Sequence, residues 1–160
     1  MKTKILFVCL GNICRSPAAE NIMNHQIAAA GLTAMVECDS AGTSSYHVGS
    51  APDRRMTESL KKRGYAVAGR ARQFQVEDFE EFDLILAMDR DNYQDILIQD
   101  RQGKYRHKVK LMCDYAQHFT DKEVPDPYYG GQAGFDHVID LLEDACQQLL
   151  TELSDPSPIA

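Results

Sequence analysis

A chain of 160 residues can form one domain with its own core, without a disulfide or metal staple. Its formal net charge of −7 argues against broad affinity for nucleic acid or anionic membranes, which needs a basic surface, but leaves room for a local positive pocket. The cysteines at 9, 14, 38, 113 and 146 are odd in number. No signal peptide or membrane-length apolar window is apparent, so a reducing cytoplasm is the expected compartment.

Ile5-Leu6-Phe7-Val8 lacks polar alternation, the pattern of a strand buried on both faces of a parallel sheet. It runs into Cys9-Leu10-Gly11-Asn12-Ile13-Cys14-Arg15-Ser16, a short loop. A helix should follow, with Ser16 as its N-cap and Pro17 in its first position. Ala18, Ile22, Ala19, Met23, Ile27 and Ala30 recur at helical spacing until Gly31. A second strand should include Val36 and Cys38 and end in Asp39-Ser40-Ala41-Gly42, whose small residues allow close backbone approach. The Ser- and Gly-rich stretch 43–51 reads as a loop carrying Tyr46 and His47.

Pro52 is expected to open a helix in which Met56 and Leu60, with Ala51, share a face up to Gly64. Residues 65–82 give no clear pattern beyond a short helix after Gln75. Leu84 to Met88 reads as a buried strand with a polar helix start at Asp89, and Val109 to Met112 as the last strand. Phe135, Val138, Leu141, Leu142, Ala145 and Leu149 mark a long C-terminal helix, and 155–160 reads as a flexible tail beyond a single domain at 1–154. Strands alternating with helices predict an α/β fold, a parallel sheet with helices on both faces. Ligands of such sheets sit at the carboxyl ends of the strands, so the loops bearing Cys9, Ser40, Met88 with Asp89, and Cys113 should meet at one rim.

The loop after the first strand carries the chemistry. Cys9 and Arg15 stand six positions apart, between a strand end and a helix N-terminus rich in free N–H groups. Those donors, the helix terminus and the guanidinium all favour thiolate over thiol at Cys9. Arg15 offers a planar fork for two oxygens of a phosphoryl group, which lysine cannot do. The Gly-Lys-Ser/Thr ending of a nucleotide loop and the glycines of a dinucleotide turn are both missing, and no second Cys/His pair stands at zinc-site spacing. Cys14 is close enough in sequence to trap an oxidised Cys9 as a disulfide, or else simply packs beneath the loop.

Cleaving a phosphate monoester also needs a proton for the leaving oxygen. Asp126, held in an extended or turn conformation by Pro127, is the candidate acid, and Tyr128 and Tyr129 beside it are candidates for the walls of an aromatic slot. An Asp-Pro turn with surface tyrosines reads the same residues equally well.

Val8 to Pro17, Asp39-Ser40-Ala41-Gly42-Thr43 and Asp126-Pro127-Tyr128-Tyr129 together resemble the low-molecular-weight protein tyrosine phosphatases, in the same order and over nearly the entire chain. The resemblance implies a four-stranded parallel sheet in a three-layer, flavodoxin-like α/β/α fold and no cofactor or metal. It also implies hydrolysis of protein phosphotyrosine and small aryl phosphates through a cysteinyl-phosphate. By it, Cys9 is the nucleophile, Arg15 the clamp and Asp126 the acid and then the base. The loop Leu10, Gly11, Asn12, Ile13, Cys14 and Arg15 binds phosphate, with Ser16 supporting the thiolate and Ser40 holding Asn12.

Ile13, Tyr46, Tyr128 and Tyr129 correspond to the family's pocket residues. Relatives that prefer phosphoarginine carry threonine in place of Ile13, which favours phosphotyrosine here. Many relatives have tryptophan at Tyr46 and a loop-bracing histidine at Gly69. A related arsenate reductase uses two further cysteines after its third strand, and none lies between Cys38 and Cys113. Arsenate reduction with another thiol reductant, and phosphotyrosine binding without turnover, are the alternative functions. A monomer or weak homo-oligomer is expected.

Overall fold

Residues 2–154 are described by a computed structural model, in which four apolar runs form four parallel strands. These are β1 (Thr3–Cys9), β2 (Val36–Gly42), β3 (Leu84–Ala87) and β4 (Val109–Leu111), ordered β2-β1-β3-β4. The helices are α1 (Arg15–Ala29), α2 (Arg54–Lys62), α3 (Asp78–Glu81), α4 (Arg90–Gln99) and α5 (Gln132–Ser154), with 3₁₀ turns at Arg106–Lys108 and Met112–Tyr115. The order is that of a flavodoxin-like sheet, as expected, and the chain's neighbours on either side of β1 are reached by opposite routes. The expected tail at 155–160 lies outside the described residues.

Strand β1 is buried on both faces, and its side chains divide the core in two. Ile5, Phe7 and Cys9 join α1, α2 and α5 through Ile22, Met23, Met56, Leu60, Phe135 and Leu142. Leu6 and Val8 join Phe74, Phe79, Ile85, Ile96 and Val109 on the α3 and α4 side. Every one of these side chains is sequestered from water, each worth roughly 1.5–3 kcal/mol of transfer free energy for the larger ones. The result is a three-layer sandwich whose middle strand delivers Cys9 to the sheet's carboxyl edge.

Several boundaries differ from the sequence reading. Helix α1 starts at Arg15 with Cys14 as N-cap, so Ser16 is not the cap and Pro17 is the third helical residue. Proline is tolerated there because first-turn N–H groups have no intrahelical acceptor, and the first α-helical bond runs from Ala18 N–H to Cys14 O. The Ser16 hydroxyl turns inward to the site instead of capping. Ala30, expected on the buried face, is the exposed C-cap, followed by Gly31 at φ 71°. Asp53, and not Pro52, starts α2 by accepting from the N–H groups of Arg55 and Met56, and Ala51 is exposed. Helix α5 begins three residues before Phe135 because its first turn is solvated and carries no apolar periodicity.

One contact at the sheet edge fixes the position of the loop after β1. A Cβ built on Gly42, the last residue of β2, would lie 2.7 Å from the Leu10 carbonyl oxygen and 3.1 Å from the Asn12 nitrogen. Backbone meets backbone there, so nothing flexible can move aside. Gly42→Ala should lower unfolding stability by about 1–3 kcal/mol, the usual cost of overpacking. Urea unfolding checks this, and an unchanged midpoint would mean that the loop yields freely.

Candidate active site

The loop 9–16 wraps around the end of β1 because one residue adopts a conformation that side chains disfavour. Asn12 has φ 57°, the one non-glycine residue with positive φ among those described. Its amide is fully used: Nδ2 donates to Ser16 Oγ at 2.8 Å and Ser40 Oγ at 2.9 Å, while Oδ1 accepts from the Arg72 N–H at 2.9 Å. Asn12 is buried, so its side chain shapes the loop from behind and does not line the cavity. Its N–H points the other way and donates to Cys9 Sγ at 3.3 Å.

Cys9 Sγ also lies 3.0 Å from Ser16 Oγ. With sulfur ionised, Ser16 is the donor, and it in turn receives the Asn12 amide hydrogen. Ser40 acts one step further back, passing its own hydroxyl hydrogen to Glu20 Oε1 at 2.6 Å. The cavity of about 430 Å³ in front of the sulfur is lined by Cys9, Leu10, Gly11, Ile13, Cys14 and Arg15 from the loop. Its rim is formed by Ser44, Tyr46, His47, Asp126, Tyr128 and Tyr129. Every predicted site residue except Asn12, Ser16 and Ser40 therefore faces the cavity, and those three support the loop from inside.

Arg15 is almost fully buried, yet it is held on one edge only. Its Nη1 donates to Asp89 Oδ2 at 2.5 Å and to the Val124 carbonyl at 3.0 Å, while Nη2 lies 3.8 Å from Asp126 Oδ2. Burial works against the guanidinium charge, but Cys9, the hydrogen bond to Asp89 and the Asp126 charge outweigh it and raise its pKa. Arg15 is therefore permanently cationic. Burial pushes the Cys14 thiol up strongly, and the nearby Asp53 carboxylate adds to this, so Cys14 stays protonated. Neither sulfur is in a disulfide.

Asp126 reaches the cavity from 116–131, a stretch without helix or strand, and its Oδ1 accepts the Tyr128 N–H at 3.0 Å. Tyr46 and Tyr129 are almost wholly exposed, whereas Tyr128 is about one-third exposed at 37%. Tyr128 and Tyr129 meet edge to face, with centroids 5.0 Å apart.

Sequence reasoning placed Asp89 on the rim, but not in contact with Arg15. It missed Arg72 and Glu20 entirely, and it placed His47 in the loop 43–51 without a role at the site. His47 sits against Gly11, where an added Cβ would come within 2.9 Å of its ring. The signal for Asp89 was its position just past β3. Cys113, expected on the same rim, instead packs in the α1/α5 half of the core, its thiol pushed up to about 12 by burial. The turn Met112–Tyr115 carries it inward.

A cysteine and an arginine in one amide-lined loop, faced by a carboxyl from a separate segment, define a flavodoxin-like protein with an oxyanion site at the end of its first strand. The chain matches the family described as low molecular weight phosphotyrosine protein phosphatase over residues 4–157, and it belongs to that family. It is 77% identical over 150 residues to a Synechocystis sp. protein provisionally described as a low molecular weight protein-tyrosine-phosphatase, covering 94% of this chain and 96% of that one. A crystal structure of an Entamoeba histolytica protein tyrosine phosphatase, with Hepes in its active site, superposes with a TM-score of 0.91 at 50% identity, covering 95% and 97% of the two chains. A Drosophila arginine phosphatase structure matches with a TM-score of 0.89 at 31% identity, covering 98% and 100%.

Glu20 gives the support network a measurable pH signature. Burial is the main cause raising its pKa, helped by the Asp39 charge and opposed by the Ser40 hydrogen bond and Arg72. A carboxyl that binds its proton more tightly in the folded than in the unfolded state stabilises the fold in acid, and that contribution is lost as pH rises through the folded value. Glu20→Gln removes the ionisation, so its melting temperature relative to the parent should climb as pH rises past the ordinary glutamate value of about 4.3. A gap constant with pH would show that Glu20 ionises without penalty.

Proposed function

We propose that this phosphatase hydrolyses aryl phosphate monoesters, phosphotyrosine in proteins above all, through a phosphorylated Cys9. The observation that carries the reading is the convergence of Cys9 Sγ, the free edge of Arg15 and the Asp126 carboxyl on one cavity. A phosphate dianion entering the loop meets backbone N–H groups and the Arg15 fork, arranged before the substrate arrives. Cys9 attacks phosphorus in line, the P–O bond to the phenol breaks, and Asp126 gives its proton to the departing oxygen. The same carboxylate then takes a proton from water as that water displaces sulfur, releasing inorganic phosphate. Ser16 and the Asn12 N–H stabilise sulfur as the leaving thiolate in this second step.

Ile13, half-buried at the cavity wall, and Tyr128 opposite give the entrance apolar faces suited to an aromatic ring. The alternative with a specific observation behind it is phosphoarginine, since an arginine phosphatase shares this fold. A guanidinium leaving group would bring polar N–H groups against the apolar Ile13 side chain, which cannot accept from them. Five free cysteines support a reducing compartment, and among the described residues no helix is long and apolar enough to cross a membrane. Tyrosine-phosphorylated proteins are the partners in this reading, and the chain acts as a monomer or weak homo-oligomer.

Activity against phosphotyrosine, phosphoarginine and arsenate, measured side by side, tests the substrate class. Phosphotyrosine should lead clearly, and faster turnover of either competitor would replace the reading. Cys9→Ser and Arg15→Ala should lose turnover to background, and near-parental rates in either would remove the covalent mechanism. Asp126→Asn should slow substrates with poor leaving groups by about 100-fold or more, with far less effect on good ones, given the usual 10²–10⁴ contribution of a general acid.

Oxidation provides a separate test. Peroxide should convert Cys9 to a sulfenic acid, which condenses with the Cys14 thiol to form a disulfide with loss of water. Peptide mapping should find a Cys9–Cys14 crosslink and thiol should restore activity. Irreversible loss without the crosslink would assign Cys14 to packing.

A further inference from the structure

The segment that carries Asp126 has no helix or strand of its own, and contacts with other elements do most of the holding. Before Asp126 the anchors are numerous: Asp144 accepts from the N–H groups of Gln117 and His118, Asp121 bonds His137 at 2.8 Å, and Val124 donates to the Met88 carbonyl and accepts from Arg15. Beyond Asp126 they thin out. Within 127–130 the hydrogen bonds are local, Tyr128 N–H to Asp126 and Gly130 N–H to Pro127 O, with one exception among the described residues. Arg55 Nη2 donates to the Tyr128 carbonyl at 2.7 Å.

The same guanidinium packs on aromatic rings. Its Cζ lies 5.3 Å from the Tyr128 ring centroid and 4.8 Å from that of Phe135, the buried residue that roots α5. Planarity matters here, because one group stacks by its face while donating from its edge, which an ammonium cannot do. The other end of this connection is also fixed. Arg55 Nη2 lies 3.6 Å from Asp53 Oδ2, and the Asp53 N–H donates to the Ile13 carbonyl of the phosphate loop at 2.7 Å. A continuous path therefore runs from the phosphate loop through Asp53 and Arg55 to the residue two past the acid.

We infer that Arg55 is a positioning residue for the general acid, setting the Asp126–Tyr128 turn at its working distance from the phosphate loop. Arg55 touches neither phosphate nor sulfur, and it is not among the cavity's lining residues. Its effect therefore appears only in the step that needs a placed proton and in the wall that Tyr128 supplies. The inference rests on Asp126 being the acid, as proposed above.

The test is leaving-group dependence in the full-length protein, using a series of aryl phosphates, with inorganic phosphate inhibition as a measure of the loop. Arg55→Ala should slow the poorest leaving groups on the order of tenfold, a part of what a placed acid contributes, and change good leaving groups and the phosphate inhibition constant by less than about twofold. Arg55→Lys should fall between parent and alanine, and it also serves if the alanine variant folds poorly by thermal melting. In an Asp126→Asn background, Arg55→Ala should add almost nothing, because the proton is already gone.

A loss equal across leaving groups, a matching loss of phosphate affinity, or full additivity with Asp126→Asn would overturn the inference. The two readings fail separately. If Asp126→Asn itself shows no leaving-group dependence, the acid assignment falls, whereas if it does and Arg55→Ala does not, only the role of Arg55 falls.

Discussion

The site depends on the side-chain amide of Asn12 having a partner for every polar atom. A left-handed residue other than glycine costs roughly 1–2 kcal/mol, and burying an amide without partners costs at least as much again. Three hydrogen bonds, to Ser16, Ser40 and the Arg72 backbone, offset both terms and leave the loop one shape. That shape aims the Asn12 N–H at Cys9 sulfur and brings Arg15 into the first turn of α1. Cys9 and Arg15 thus inherit their geometry from a residue that faces away from the cavity.

The network is braced differently from what the resemblance implies for relatives with a histidine at Gly69. Gly69 here has φ 111°, and a Cβ on it would fall 3.9 Å from Glu20 Oε1. In place of a ring at that point, Arg72 bridges Asp39 and Asp78 by its side chain while its main chain serves Asn12. Glu20 has a hydroxyl partner in Ser40, and the Arg72 charge opposes its burial without outweighing it. The loop's brace is an ion-paired arginine, and the far end of its serine relay is a reluctant carboxylate.

What could be read from the sequence follows from how local the determinants are. The strands were visible because uninterrupted apolar runs such as Ile5 to Val8 mean burial on both faces, and Cys9 with Arg15 was visible because the chemistry lies within one loop. Ser16 reads as a cap because its residue type suits one, and nothing nearby in sequence reveals that its hydroxyl is shared between a buried sulfur and the Asn12 amide. Cys113 was placed on the rim by the rule that strand ends bear ligands, and a 3₁₀ turn moved it into the core. Arg72, Asp89 and Arg55 act on partners 60, 74 and 73 residues away, distances over which spacing carries no signal.

Arg15 also bears on the energetics of recognition. A free arginine side chain gives up about 2 kcal/mol of rotamer freedom when fixed, and ligands that must order such a group lose affinity accordingly. Here Asp89 and the Val124 carbonyl already hold one edge, so that ordering is completed during folding. An incoming dianion meets a charge that is immobile and shielded from water on its far side. Arg15 therefore presents its charge at no further cost in its own ordering, and affinity is left to how well a ligand's oxygens reach the fixed fork.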